Sequence, residues 1–105
     1  MKFVNRGYLS VKPTKLFVDW ANKNDEDFNA LADSEPSVYL IEEDFYDDEP
    51  VLKSHFKKVF KNELMAVSED ESTYPDIKFE IFNEWFDIQM GGFVFDTQEG
   101  GLNAD

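Results

Sequence analysis

Apolar and polar positions alternate, cluster and recur along this chain in ways that predict its elements in turn. Residues 3–11, FVNRGYLSV, are rich in strand formers, and the run ends at Lys12-Pro13. Pro13 suits the first turn of a helix, and TKLFVDWANK then sets Leu16, Phe17 and Trp20 on one helical face. Asp25 can cap a second short helix, EDFNALA, with carboxylates at its positive end. Asp33-Ser34-Glu35-Pro36 reads as a turn. The clearest strand is 37–42, SVYLIE, whose nearly continuous apolar run suits a central strand. Pro50 opens the longest helix, about 50–67, with Leu52, Phe56, Val59, Phe60, Leu64 and Val67 spaced by three and four. Lys53, Lys57 and Lys61 recur on another of its faces.

The remaining third is more ambiguous. IKFEI alternates like a strand, while Ile81, Phe82, Trp85 and Phe86 repeat like a helix. The proline start and the later spacing predict a helix from Pro75 through Phe86. Residues 87–96, DIQMGGFVFD, read as a final strand. Gly91-Gly92 marks a bulge in it, or a hairpin turn if it is two strands. The expected order is β-α-α-β-α-α-β, a small three-stranded α+β sheet with helices packed on one face. Helical crossovers would permit parallel pairing. One domain spans 1–97, and 98–105 is expected to be a loose tail.

Charge changes the picture most. Ten basic residues against 23 acidic ones give a net charge of −13. Such a field repels phosphate backbones and anionic lipid head groups, so direct nucleic-acid or membrane binding is disfavoured and a basic partner is favoured. Solubility alone also accounts for excess charge. With aromatic content at 16%, the chain is not composed like a disordered one. Cysteine is absent, which removes disulfides, zinc thiolates and thiol nucleophiles and fits a reducing compartment. No signal peptide or membrane-spanning run is seen, so the expected location is the cytoplasm.

Some of these segments carry a resemblance. NRGYLSVKPTKLFVDWAN (5–22), SVYLIEE (37–43), FKKVFKNEL (56–64) and EWFDIQMGGFVFD (84–96) together resemble a family of small acidic bacterial proteins without an assigned activity. The resemblance spans nearly the whole chain, is strongest at its two ends, and rests on apolar positions. It implies a shared fold and a bacterial, cytoplasmic setting, and it carries over no catalytic residue. The tail with Gly100-Gly101 lies outside it.

The candidate chemistry centres on EEDFYDDE, residues 42–49, where six carboxylates surround Phe45 and Tyr46. The run lacks the alternate ligand spacing and central glycine of a calcium loop, so no metal is assigned to it. With Asp25–Asp27 and Glu69–Glu71 it forms three acidic clusters that could imitate nucleic acid. Lys53, Lys57, Lys58 and Lys61 beside it argue against that use. Its plainest role is structural, carboxylates favouring the positive end of the next helix. Phe45 and Tyr46 are the sharper signal. They either fold back as core lids, or stand out with Asp44, Asp47 and Asp48 as anchors for a basic protein partner.

A second candidate is the apolar arc of the last helix. Phe79, Phe82 and Trp85 belong to a set sweeping roughly 200° of its circumference, more than the ~100° stripe that one sheet contact needs. A neighbouring helix, a homodimer contact or a partner groove would cover the excess. Catalysis finds little footing: the lone His55 adjoins Ser54, and helical neighbours diverge by about 100°. No phosphate loop or cofactor motif is present. If the sheet were parallel, Lys12, Glu42, Glu43 and Asp96 would lie near its ligand-favouring strand ends. The sequence therefore points first to a non-enzymatic protein-interaction module. An acidic inhibitor or immunity-type protein follows, and a small carboxylate- or metal-using enzyme comes third.

Overall fold

The computed structural model describes residues 1–30 and 34–102. Its elements run β1 (Lys2–Val4), β2 (Gly7–Pro13), α1 (Lys15–Asn24), β3 (Ser37–Ile41), α2 (Asp48–Met65), a 3-10 turn (Glu71–Thr73), α3 (Phe79–Trp85), β4 (Phe86–Gly91) and β5 (Val94–Asp96). The fold is α+β, but the order differs from β-α-α-β-α-α-β because both terminal strands are split. The strands form two sheets, β3-β2-β4 and β1-β5, and every pairing is antiparallel. This corrects the expectation that helical crossovers would allow parallel pairing. Lys12 and Glu42 consequently end strands that run in opposite directions, and no common carboxyl-end site forms.

Alternation decides which face of the three-stranded sheet is covered. Leu9 and Val11 on β2, Ile41 on β3 and Phe86 on β4 are buried, while Lys12, Val38, Leu40, Asp87 and Gln89 between them are exposed. One face thus joins a core with Phe17 and Ala21 of α1, Phe56, Phe60 and Leu64 of α2, and Phe82 of α3. Half-wet antiparallel sheets commonly show this pattern. β2 lies at the centre, and β3 is an end strand rather than the central strand that its apolar run predicts.

Each helix has a local cause. α2 starts at Asp48, two residues before Pro50. Asp48 and Glu49 favour the positive helix end, and a proline in the first turn removes no intrahelical hydrogen bond. Its predicted apolar positions Leu52, Phe56, Val59, Phe60 and Leu64 are all buried. α1 starts at Lys15, and Pro13 instead closes β2 opposite Phe86. Phe17 and Ala21 face inward on α1, and Leu16 is exposed.

α3 is shorter than the expected 75–86 helix at both ends. Pro75 through Lys78 is not helical, and Phe86 has passed into β4. The helix stops where Thr14 takes over its last carbonyls: the Thr14 hydroxyl donates to Glu84 O at 2.8 Å and its N–H to Trp85 O at 2.9 Å. The short helix expected over EDFNALA is turn and coil at residues 26–29 and helical at Ala30, and the rest of that prediction, residues 31–32, lies outside the described residues.

The two split strands are linked. β1 pairs with β5 just as β2 pairs with β4, so the same two chain segments form both ladders. Val4 pairs with Val94 and Tyr8 with Gly91, which leaves residues 5–7 facing 92–93. One strand carries one residue more than the other at the junction, the arrangement of a β-bulge, which bends a ladder and sharpens its twist. Gly91-Gly92 is therefore the kink between two ladders, and no hairpin turn forms there. Beyond the kink, the β1–β5 ribbon packs chiefly on itself. The Lys2 ammonium donates to Glu99 O and Gly100 O at 2.8 and 3.0 Å, holding the start of the segment expected to be loose.

Candidate partner-binding surface

Gly7 positions the acidic loop. A Cβ there would lie 2.6 Å from Glu42 O, 2.9 Å from Gly91 O and 3.1 Å from the Phe45 ring. The absence of a side chain lets the loop's first turn close over the end of β2. Glu42 is fixed from the other side by His55, whose Nε2 lies 2.6 Å from Oε1. Its own backbone N–H, then His55, hold the Glu42 carboxyl below the usual carboxylate range. The loop's far end merges into α2, where Glu49 pairs with Lys53 at 3.1 Å.

Between these anchors the two aromatics part. Phe45 is half-buried and packs against the core. Tyr46 is wholly exposed, and Asp44, Asp47 and Asp48 are exposed around it. The alternatives of lid and anchor thus apply one to each residue.

The loop does not stand alone. The carbonyl of Glu43 sits 3.3 Å from where a Gly92 Cβ would be, so the loop lies against the kink of the ribbon. A cleft of about 320 Å³ opens there, lined by Phe3, Glu43, Asp44, Phe45, Gly92 and Phe93. Phe3 and Phe95 are opposed across the ribbon, with ring centroids 5.7 Å apart in an edge contact. Phe3 and Phe95 are each 55% exposed and Phe93 78%. None of the three belongs to the core cluster or packs against it. Sequence reasoning missed them because FVFD reads as the end of a buried strand. The available signal was the pair Gly91-Gly92, which marks where the strand leaves the sheet.

The last helix presents no comparable surface. Phe82 is 0% exposed and stacks among Phe56, Phe60 and Phe86. Phe79 packs on Phe56 at 5.4 Å under the Lys53 ammonium, and Trp85 lies among Phe17, Trp20 and Phe60. The wide apolar arc packs against α1 and α2 on its two sides, which corrects Phe82 as a partner-binding residue and leaves Phe79 and Trp85 half-buried.

Other polar groups serve the framework. Glu63 on α2 accepts from the Ser37 hydroxyl at 3.1 Å and the Tyr39 hydroxyl at 2.5 Å, and Asn62 donates to Tyr39 at 2.9 Å. Burial, then the Glu63 contact, pushes the Tyr39 phenol far above its ordinary value. Among the described residues, no group of three or more histidine, aspartate or glutamate side chains could hold a metal ion, and no helix is long and apolar enough to cross a membrane. No family model, curated protein or solved structure matches this chain.

Proposed function

We propose that this chain is a non-enzymatic interaction module of the bacterial cytoplasm, which engages a basic protein partner through its aromatic–acidic end. One observation carries the reading: Phe3, Phe93 and Phe95 lie outside the core, and Phe3 and Phe93 line a cleft with Glu43 and Asp44 of the 42–49 loop. Large aromatics in the open lose the free energy of burial, about 1.5–3 kcal/mol for a phenylalanine, unless something covers them. Their rim of carboxylates favours a cationic surface and speeds its approach. Anchors of this kind, ringed by charge, resemble the energetic centre of many protein interfaces. Asp44 lines the same cleft, and Tyr46, Asp47 and Asp48 are exposed further along the same loop.

The test is affinity capture from source-cell lysate at low and high salt, using the wild type and a variant with Phe93→Ser and Tyr46→Ser. The reading expects a stoichiometric basic protein that is released by salt and not captured by the variant. Equal capture by both proteins overturns it. Displacement of the captured protein by DNA or RNA would assign the module to the inhibitor class.

A further inference from the structure

The cleft between the acidic loop and the kinked ribbon is more selective than a general attraction for cations. Three aromatic rings and two carboxylates line it, those of Phe3, Phe45, Phe93, Glu43 and Asp44, together with Gly92 and no basic side chain. Phe3 makes its ring contact with Phe95, and none joins Phe3, Phe45 and Phe93 to one another. The rings therefore stand around the opening instead of closing it by stacking. Phe45 packs on the core and forms a fixed wall, whereas Phe3 and Phe93 reach into solvent. Gly92 keeps the space open. Its φ lies outside the left-handed region, so the backbone there accepts a side chain. A Cβ would meet only the Glu43 carbonyl, at 3.3 Å, and would thus be directed at the loop across the cleft.

The two carboxylates are available. Glu43 and Asp44 are exposed, and neither makes an ion pair with any described residue. Their neighbours at either end of the loop differ, Glu42 being held by His55 and Glu49 by Lys53. Arg6 is the one arginine of the chain and sits at the kink, but its guanidinium donates to Asn5 O at 2.8 Å.

We propose, building on the partner reading above, that this cleft receives an arginine side chain of the basic protein. A guanidinium is planar and weakly hydrated, lies against aromatic faces, and presents forked donors that match a carboxylate. Rings of Phe3, Phe45 and Phe93 beside Glu43 and Asp44 offer both contacts in one place. A lysine ammonium is compact and strongly hydrated, so it loses more on entering between the rings. A divalent cation needs more converging oxygens than two adjacent carboxylates provide. At about 320 Å³ the cleft stands at the small end of ligand pockets, roughly 300–1,000 Å³, a size for one side chain more than for a whole metabolite. A second copy could offer only Arg6, and would bring a net charge of −13 against −13.

The test titrates glycine pentapeptides, blocked at both ends and carrying arginine, lysine or citrulline at the centre, into the ¹⁵N-labelled full chain. Citrulline keeps the shape of arginine without its charge. The arginine peptide is expected to shift the amides of Phe3, Glu43, Asp44, Gly92 and Phe93 saturably. The lysine peptide should bind about threefold more weakly and the citrulline peptide about tenfold or more. Gly92→Leu fills the cleft, and Glu43→Gln with Asp44→Asn keeps its shape and removes its charge. Each variant should weaken the arginine peptide roughly tenfold, with unchanged β2 and β4 amides as the sign of an intact fold. No saturable shift, equal binding of arginine and citrulline, or a lysine peptide that binds as tightly would overturn the proposal. So would equal shifts at Glu69–Glu71, an acidic run outside the cleft. The two readings fail separately. A salt-released basic protein captured equally by wild type and Gly92→Leu would leave the partner reading and remove the arginine. An empty capture beside a binding arginine peptide would do the reverse.

Discussion

The same two chain segments build two ladders with opposite fates. In the β2–β4 ladder, Leu9, Val11 and Phe86 are sealed beneath three helices. In the β1–β5 ladder, a few residues further out, Phe3 and Phe95 face each other in the open. Pairing direction and aromatic content do not distinguish them. The difference is the extra residue at 5–7 opposite 92–93, which turns the outer ladder away from α1, α2 and α3. Hydrophobic pattern marks what can be buried, and the kink determines what is.

Truncation should expose this difference most strongly. Phe60 is 0% exposed and touches Phe82, Trp85 and Phe86, so Phe60→Ala should cost about 3–5 kcal/mol in urea unfolding. Phe93→Ala should change the same measurement by less than ~0.5 kcal/mol. Comparable losses would show that the ribbon is part of the core.

The kink itself can be broken. Gly7→Ala forces a Cβ to 2.6 Å from Glu42 O and 2.9 Å from Gly91 O, both backbone atoms. A cost of about 1–3 kcal/mol is expected, with shifted amide resonances in the 42–45 loop. Gly100→Ala meets nothing within 4 Å and serves as the neutral control.

Within the loop, Phe45→Ala should lower stability by about 1–2 kcal/mol and Tyr46→Ala by less than ~0.5, read from denaturant midpoints at constant slope. Equal effects would remove the division between lid and anchor.

The smallest effect concerns pH. Tyr39 is held neutral in the folded protein, its pKa raised by burial and then by Glu63. A raised folded value means that its contribution is complete below the unfolded value of about 10 and is lost as pH rises beyond it. Tyr39→Phe should therefore flatten the alkaline decline in melting temperature relative to wild type. An unchanged slope would sever Tyr39 from that decline.

These contrasts also explain what could be read in the residues. α2 was legible because a long helix repeats its signal: five of its apolar positions at three- and four-residue spacing are buried. SVYLI was legible as a strand, but its place at the sheet edge was not, because apolar runs do not encode strand order. The helix at 79–85 was overextended, since Phe86 satisfies the helical spacing from Phe82 while its backbone pairs with Pro13. Pairing with β2 and the Thr14 bonds to Glu84 and Trp85 decided that boundary, and both are long-range. Of the candidate site, Tyr46 and its flanking aspartates lie on the surface, whereas Phe82 lies in the core. Phe3, Phe93 and Phe95 were overlooked because a bulge depends on counting residues in two strands at once, which neither segment reveals alone.

The most direct test replaces the ribbon aromatics together, with Phe3→Ser, Phe93→Ser and Phe95→Ser, and measures global unfolding free energy beside binding to the captured basic partner. The account predicts stability within about 1 kcal/mol of wild type, since these rings leave the core intact, and loss of partner binding. A collapse in stability like that expected for Phe60→Ala, or a stable variant that binds as well as wild type, would contradict it.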